Sequence, residues 1–349
     1  MEEMELSTFY SMLTTVTERP IRKSPIQYKI ASIIFKYYAP IQLTIALFGN
    51  LMIMIIFSRK SMRESVTSFL FRILAIADTF MVLVTLVPEA ILEIGGSTEP
   101  YSSDLRCGAQ GYLYFAGKSF AVWVLVLIVT ERFIGINFPH RASSLITKQR
   151  ARIAVGCLIV VIYSLYAFIP VVMEVSIVRD DDGNILNQFC GIPDDTTIAH
   201  FINDIWPTYD MCIYSLIPFI FMLIANISII YRLAQARRMR SQTAGSDSGD
   251  VSGMTAMLLG ISFAFVACTL PYNISFFERS INRLGSPNSY LFWACSVVLA
   301  NMNHCINFYI YCLTGTKFRN EIREMLGCGG KTQNKRLPPT AKAKAQENA

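Results

Sequence analysis

The chain has 349 residues, of which 53% are hydrophobic and only 16% are charged, and its mean hydropathy is +0.41. Soluble domains carry about 25% charged residues, so this composition argues against an ordinary soluble protein. The net charge of +6 does not indicate nucleic-acid binding, because the basic residues lie in short loops between apolar runs, where they face anionic lipid.

Seven apolar runs follow one another along the chain. Each is close to the roughly 20 residues that a helix needs to cross a bilayer. The sequence therefore predicts an all-α membrane protein, a bundle of seven transmembrane helices with a short amphipathic eighth helix. The predicted spans are about 32–58, 67–94, 105–137, 150–174, 205–236, 252–280 and 288–313.

These spans divide the chain into four predicted parts. Residues 1–31 form an extracellular tail and residues 32–314 form the seven-transmembrane domain. Residues 315–328 form the amphipathic helix, with Phe318, Ile322, Met325 and Leu326 on one face, and Cys328 at its end is a candidate for palmitoylation. Residues 329–349 are rich in Lys, Pro, Ala and Gln and are expected to be disordered in the cytoplasm.

Basic residues predict the orientation, because cytoplasmic loops of membrane proteins are enriched in Lys and Arg. Such residues follow the first, third, fifth and seventh spans, and the opposite loops are acidic, although four basic residues before the first span favour the reverse. We expect a multi-pass plasma-membrane protein with its N-terminus outside. Residues 1–30 lack a continuous apolar signal-peptide core, so the first span is expected to serve as the insertion signal.

Two cysteines predict a disulfide. Among the nine cysteines, only Cys107 and Cys190 fall where a span ends on the outer, oxidising side. We expect them to join the third span to the second outer loop.

Short motifs occur along the spans in a fixed order. The first and second spans carry Gly49-Asn50 and Leu74-Ala75-Ile76-Ala77-Asp78, and Glu131-Arg132-Phe133 ends the third span. Prolines follow in the fifth and sixth spans, and the seventh contains Asn307-Phe308-Tyr309-Ile310-Tyr311. Together these motifs resemble those of the rhodopsin-like (class A) G-protein-coupled receptors.

The resemblance implies a signalling receptor rather than an enzyme, and no cofactor is expected. A heterotrimeric G protein would bind the inner face, with arrestin, a receptor kinase and membrane lipid as further partners. Glu131 and Arg132 would hold that face closed, Phe133 completes the same activation motif, and Asn307 and Tyr311 would rearrange beside them on activation. No zinc-spaced His/Cys cluster, P-loop or nucleophile elbow appears in the sequence.

A polar network is predicted in the middle of the bundle. Asp78 lies mid-span, where a charge costs about 3 kcal/mol unless it is solvated or paired. Asn50, Asn303 and His304 are its expected neighbours. The resemblance suggests a sodium site at Asp78, but Ala121 and Thr269 depart from the family pattern and His304 faces Asp78. We therefore expect sodium to bind weakly at Asp78 if it binds there. His304 is interpreted either as a group that replaces the ion or as an ordinary packed side chain.

The sequence also narrows the ligand. Tyr114 stands where aminergic receptors have an aspartate, and Asn301 stands where opsins have the retinal lysine. Acids in the outer half, including Glu174 in the predicted fourth span, together with aromatic residues suit a peptide with Arg and Phe or Tyr side chains. The predicted ligand residues are Glu89, Tyr114, Lys118, Trp206, Asp210, Tyr272, Asn273 and Phe276.

Lys118 lies deep in the third span, where a lone cation is costly and needs a partner. Asp210 is the first candidate partner and Glu89 is the second. A pair that ties helices together and a contact with the ligand are both compatible with the sequence.

Residues 65–79 and 304–319 resemble invertebrate neuropeptide receptors of the FMRFamide-receptor type. This favours a cationic or amidated extracellular neuropeptide as the ligand. A small non-peptide or chemosensory ligand is the alternative. A seven-span transporter is more remote, because the two halves show no self-similarity.

Overall fold

The computed structural model describes residues 25–95, 103–179, 185–191, 201, 205–241, 249–281 and 286–327. The predicted cytoplasmic tail, most of the outer tail and Cys328 lie outside this part of the chain. Within it, six helices are long and apolar enough to cross a membrane. The seventh span is apolar but interrupted, and the helical bundle predicted from the sequence is confirmed.

The spans begin and end near the predicted positions. The first three are Ile26–Phe57, Val66–Gly95 and Asp104–Asn137. A short inner helix, Pro139–Leu145, leads to the fourth span, Lys148–Leu165 with a further turn Ile169–Val172. The fifth span comprises Trp206–Met211, Cys212–Leu216 and Ile217–Ser241, and the sixth is Gly249–Ile281. The seventh comprises Pro287–Met302 and Asn307–Thr314, and the amphipathic helix Thr316–Met325 follows it.

Side-chain caps fix three of the helix starts. Ser103 accepts a hydrogen bond from the amide of Arg106, and Thr147 accepts one from the amide of Arg150. Ser286 does the same for Ser289, with Pro287 in the first turn. Caps of this kind satisfy amides that have no partner within their own helix.

The second outer loop forms a β-hairpin that the sequence analysis did not predict. Strand β1 is Glu174–Arg179 and strand β2 is Ile185–Gly191, and they pair antiparallel with Val175 opposite Cys190. Glu174 therefore belongs to the hairpin and is exposed, so its assignment to the fourth span was wrong. The helix cannot reach it, because Pro170 interrupts the backbone hydrogen bonds beyond Leu165.

The predicted disulfide is confirmed: Cys107 and Cys190 are bonded, with their Cα atoms 5.5 Å apart. The bond fastens β2 to the outer end of the third span. Gly108, the next residue, lies so close to the fourth span that an added Cβ would be 2.8 Å from the Cα of Pro170. The third and fourth spans and the hairpin are thus held together at the outer face.

The fifth span contains one π-helical turn, Cys212–Leu216. Pro218 follows it and has no amide proton to donate to the carbonyl of Tyr214, so regular α-helical bonding cannot continue through this point. The amide of Ile217 bonds instead to the carbonyl of Cys212. Turns of this kind often occur at functional sites.

The seventh span is interrupted at Asn303–Ile306, although it has no proline there. The amides of Asn303, His304 and Cys305 each bond to the carbonyl three residues earlier, which tightens the backbone. The interruption turns the side chains of His304 and Asn307 toward Asp78 on the second span.

The amphipathic helix packs Phe318 into the inner face of the bundle, whereas Leu326 at its C-terminal end is exposed. Glu321 on the same helix is buried, and Arg59 of the first inner loop lies 2.7 Å from its carboxylate. In the same loop Glu64 lies 2.6 Å from Lys148, and that hydrogen bond and charge lower the pKa of Glu64.

Candidate functional site

A buried ion pair lies in the outer half of the bundle. Lys118 Nζ on the third span is 2.6 Å from Asp210 Oδ2 on the fifth, and the two side chains are only 3% and 4% exposed. The hydroxyl of Tyr166 on the fourth span donates to Asp210 Oδ1 at 3.1 Å. The same hydroxyl is 2.6 Å from Ser119 Oγ. One polar cluster thus ties three spans together.

Four aromatic rings surround the ammonium of Lys118. Its Nζ lies 4.6 Å from the ring centres of Phe115 and Tyr214, 5.3 Å from that of Tyr114 and 5.8 Å from that of Tyr272. A cation within about 6 Å of an aromatic face is attracted to it, more strongly where water is excluded. The cage and the carboxylate together make this charge tolerable inside the bundle.

Tyr114 and Tyr272 lie on the outer side of this cage. Their hydroxyls share one hydrogen bond of 3.2 Å between the third and sixth spans. The ring of Tyr272 stacks on that of Phe276, with centres 6.0 Å apart. Asn273, the next residue on the sixth span, is also buried, and its Nδ2 has no hydrogen-bond partner within the described part of the chain.

Trp206 forms part of the wall behind the ion pair. Its ring lies edge-on to those of Phe115, Tyr166 and Phe168, at 5.9, 5.5 and 4.9 Å. The indole is almost fully buried. The structure therefore places Trp206 as packing behind the cage of Lys118.

Glu89 lies apart from this cluster. It accepts a hydrogen bond from the hydroxyl of Tyr38 on the first span. Tyr38 belongs to an apolar cluster with Phe35 and Trp293 between the first, second and seventh spans. Of the two partners considered for Lys118, Asp210 is the one in contact, and Glu89 joins a different pair of helices.

Asp78 is fully engaged in the middle of the bundle. His304 Nδ1 lies 2.7 Å from its Oδ1, and Asn307 Nδ2 donates to its Oδ2 at 2.8 Å. Asn50 donates to the backbone carbonyl of His304 at 3.3 Å, and Asn303 is buried next to it. Both oxygens of Asp78 therefore have protein partners from the interrupted seventh span.

The inner ends of the second and third spans are joined by three side chains. Arg132 Nε lies 3.0 Å from Glu131 Oε2, and the guanidinium also donates to the hydroxyl of Thr67. Thr67 in turn contacts both carboxylate oxygens of Glu131 at 3.2 and 3.1 Å. Phe133 packs edge-on against Phe138 in the second inner loop.

Tyr311 lies in an aromatic cluster at the inner face. Its ring is 5.0 Å from that of Phe71 and 5.5 Å from that of Phe318. The residue is fully buried, and among the described residues its hydroxyl has no hydrogen-bond partner. Tyr311 is thus held by packing between the second span and the amphipathic helix.

Several residues of these clusters were missed from the sequence. Tyr214 stands four residues after Asp210, and this helical spacing could have indicated it as a neighbour of the ion pair. Tyr166, Ser119 and Thr67 gave no such signal, because a lone tyrosine or hydroxyl in a span is ordinary until its neighbour is known. Their positions depend on how the helices rotate against one another.

A model of the 7 transmembrane receptor (rhodopsin family) matches residues 49–311 of the chain. The chain belongs to this family. It is therefore a multi-pass G-protein-coupled receptor, a signalling protein rather than an enzyme, and an extracellular ligand and a G protein are its implied partners.

Individual relatives of this rhodopsin-family receptor differ in ligand. The FMRFamide receptor of Drosophila melanogaster is 24% identical over 288 residues, which cover 79% of this chain and half of the relative. The allatostatin-A receptor of Bombyx mori is 24% identical over 81% of this chain and 77% of its own length. The N-arachidonyl glycine receptor of Rattus norvegicus is 24% identical over 85% of each chain.

Proposed function

We propose that this rhodopsin-family receptor lies in the plasma membrane with its N-terminus outside and responds to an extracellular neuropeptide. The observation that carries the proposal is the combination of a buried, aromatic outer site around Lys118 and Asp210 with carboxylates near the outer ends of the spans. Asp104 and Glu174 are exposed there, and Glu278 is half-buried. Aromatic walls and outer acids suit a peptide with basic and aromatic side chains.

Signalling would proceed by population shift. An agonist that binds the open-inside state more tightly than the closed state raises the population of the open state. The closed state is held by Glu131, Arg132 and Thr67, and opening would free Arg132 for the heterotrimeric G protein. Arrestin, a receptor kinase and membrane lipid are proposed as further partners of the inner face.

The test is a cAMP or calcium response in cells expressing the full chain and challenged with a library of amidated neuropeptides. We expect at least one peptide to give a response that is absent in untransfected cells and lost in Arg132→Ala at equal surface expression. The peptide proposal fails if no peptide acts while a non-peptide library does.

A second candidate is a receptor for a small non-peptide ligand. The similarity to the N-arachidonyl glycine receptor over most of both chains favours it. The same cells challenged with N-arachidonyl glycine distinguish the two, because a peptide receptor should not signal in response to this lipid.

A further inference from the structure

The outer site contains hydrogen-bond donors that have no acceptor. The buried Nδ2 of Asn273 has no partner within the described residues. The hydroxyl of Tyr114 donates to the hydroxyl of Tyr272. The Tyr272 proton then has no acceptor among the described residues. Buried donors are normally satisfied, and an acceptor supplied from outside would satisfy these.

The carboxylate of the same site is not available to a ligand cation. Lys118 occupies one oxygen of Asp210 and Tyr166 occupies the other. Both charged side chains are almost completely buried behind the aromatic cage. A ligand ammonium or guanidinium would have to enter this buried cluster and place a second cation beside Lys118, or displace Lys118 and leave its charge without a partner. Both are strongly unfavourable.

We propose that the ligand group reaching deepest into the bundle is a carbonyl-type acceptor, a carboxamide or carboxylate oxygen next to an aromatic or apolar side chain. Asn273 Nδ2 and the Tyr114–Tyr272 hydroxyl pair donate to this oxygen, and Tyr272 and Phe276 pack against the apolar part. A basic side chain of the ligand stays nearer the mouth, beside Asp104, Glu174 and Glu278. The inference rests on the proposed function, since it assigns the chemistry of the same ligand site.

The test uses three small probes that share a phenyl ring. They are N-acetylphenylalaninamide, N-acetylphenylalanine as its carboxylate, and phenethylamine, a cation without a carbonyl. Purified full-length receptor is melted with each probe at millimolar concentration, because a ligand that binds only the folded state raises the melting temperature. We expect the amide, the carboxylate or both to stabilise the receptor and phenethylamine to have no effect.

Variants locate the effect. Asn273→Leu removes the donor at similar volume and should abolish the shift, and Tyr272→Phe should reduce it. Ser275→Ala is the matched control, because Ser275 is buried on the same helix but donates to the carbonyl of Tyr272. If Asn273→Leu melts too low to assay, Tyr272→Phe carries the comparison alone.

The outcomes separate this inference from the proposed function. Comparison of the amide probe with the carboxylate probe shows whether the site prefers an amidated C-terminus or a free carboxylate in its ligand. Absence of any shift, a shift by phenethylamine equal to that of the amide, or an undiminished shift in both Asn273→Leu and Tyr272→Phe overturns the inference. The assay requires no signalling, so probe binding without any peptide response would contradict only the neuropeptide proposal.

Discussion

Lys118 carries a charged ammonium group in a buried part of the bundle, where charged groups are rarely found. An ammonium inside a transmembrane bundle persists here because a carboxylate and four aromatic rings surround it. Replacing one partner of such a pair leaves the other charge buried without compensation, at a cost of about 3–5 kcal/mol. The two substitutions should therefore not be independent.

We predict that Lys118→Ala and Asp210→Ala each lower the melting temperature of the purified receptor, and that the double variant recovers part of the loss. The physical reason is that the double variant contains no uncompensated charge. A double-mutant cycle measures the coupling. Lys36→Ala, which removes an exposed lysine of the first span, is the control. A coupling energy near zero would show that Lys118 and Asp210 do not stabilise each other.

At Asp78 we predict that sodium has little specific effect. His304 and Asn307 already contact both oxygens of its carboxylate, so a sodium ion would have to share these oxygens with two nitrogen groups or displace one of them. Melting temperatures should match in sodium chloride and in choline chloride at equal ionic strength. A clear stabilisation by sodium alone that disappears in Asp78→Asn would contradict this prediction.

At the scale of elements, one hydroxyl joins the second span to the Glu131–Arg132 pair. Hydrogen bonds to charged groups contribute about 1.5–3 kcal/mol, so loss of the Thr67 contacts should weaken the connection between the second and third spans. In the proposed mechanism this connection holds the inner face closed. We predict that Thr67→Val raises ligand-independent signalling several-fold, measured as basal cAMP or calcium at equal surface expression. Thr130→Val is the control, because within the described residues the Thr130 hydroxyl bonds only to the carbonyl of Val126 on its own helix. Equal basal signalling in the two variants would exclude the proposed role of Thr67.

The disulfide fastens the hairpin to the third span. Removing a native disulfide from a small secreted domain typically costs about 2–5 kcal/mol. We predict that Cys190→Ser sharply lowers surface expression or thermal stability, whereas Cys157→Ser, which replaces an exposed free cysteine, has no comparable effect. Labelling of Cys107 and Cys190 as free thiols in surface-exposed wild-type receptor would refute the bond.

At the scale of the whole molecule, the features imposed by the bilayer could be predicted from the sequence, namely the transmembrane spans and the pairing of a buried charge. The spans follow from the length that a helix needs to cross hydrocarbon, and Asp210 was named as partner of Lys118 because a buried cation requires a carboxylate. The hairpin, the π turn at Cys212–Leu216 and the contacts of Tyr166 were not predicted. These depend on helix rotation and on backbone bonding around prolines, which hydropathy does not encode.

The interrupted seventh span has a consequence for how the receptor can move. A proline at position 308 would lack the amide proton that bonds to the carbonyl of residue 304. Phe308 stands there instead, so nothing covalent prevents residues 303–306 from regaining regular α-helical bonding. We expect the contacts of Asp78 with His304 and Asn307 to maintain this break. We predict that Asp78→Ala slows hydrogen–deuterium exchange of the amides of residues 303–306, measured by mass spectrometry, as the helix re-forms. Faster or unchanged exchange would mean that the break is fixed by packing rather than by Asp78.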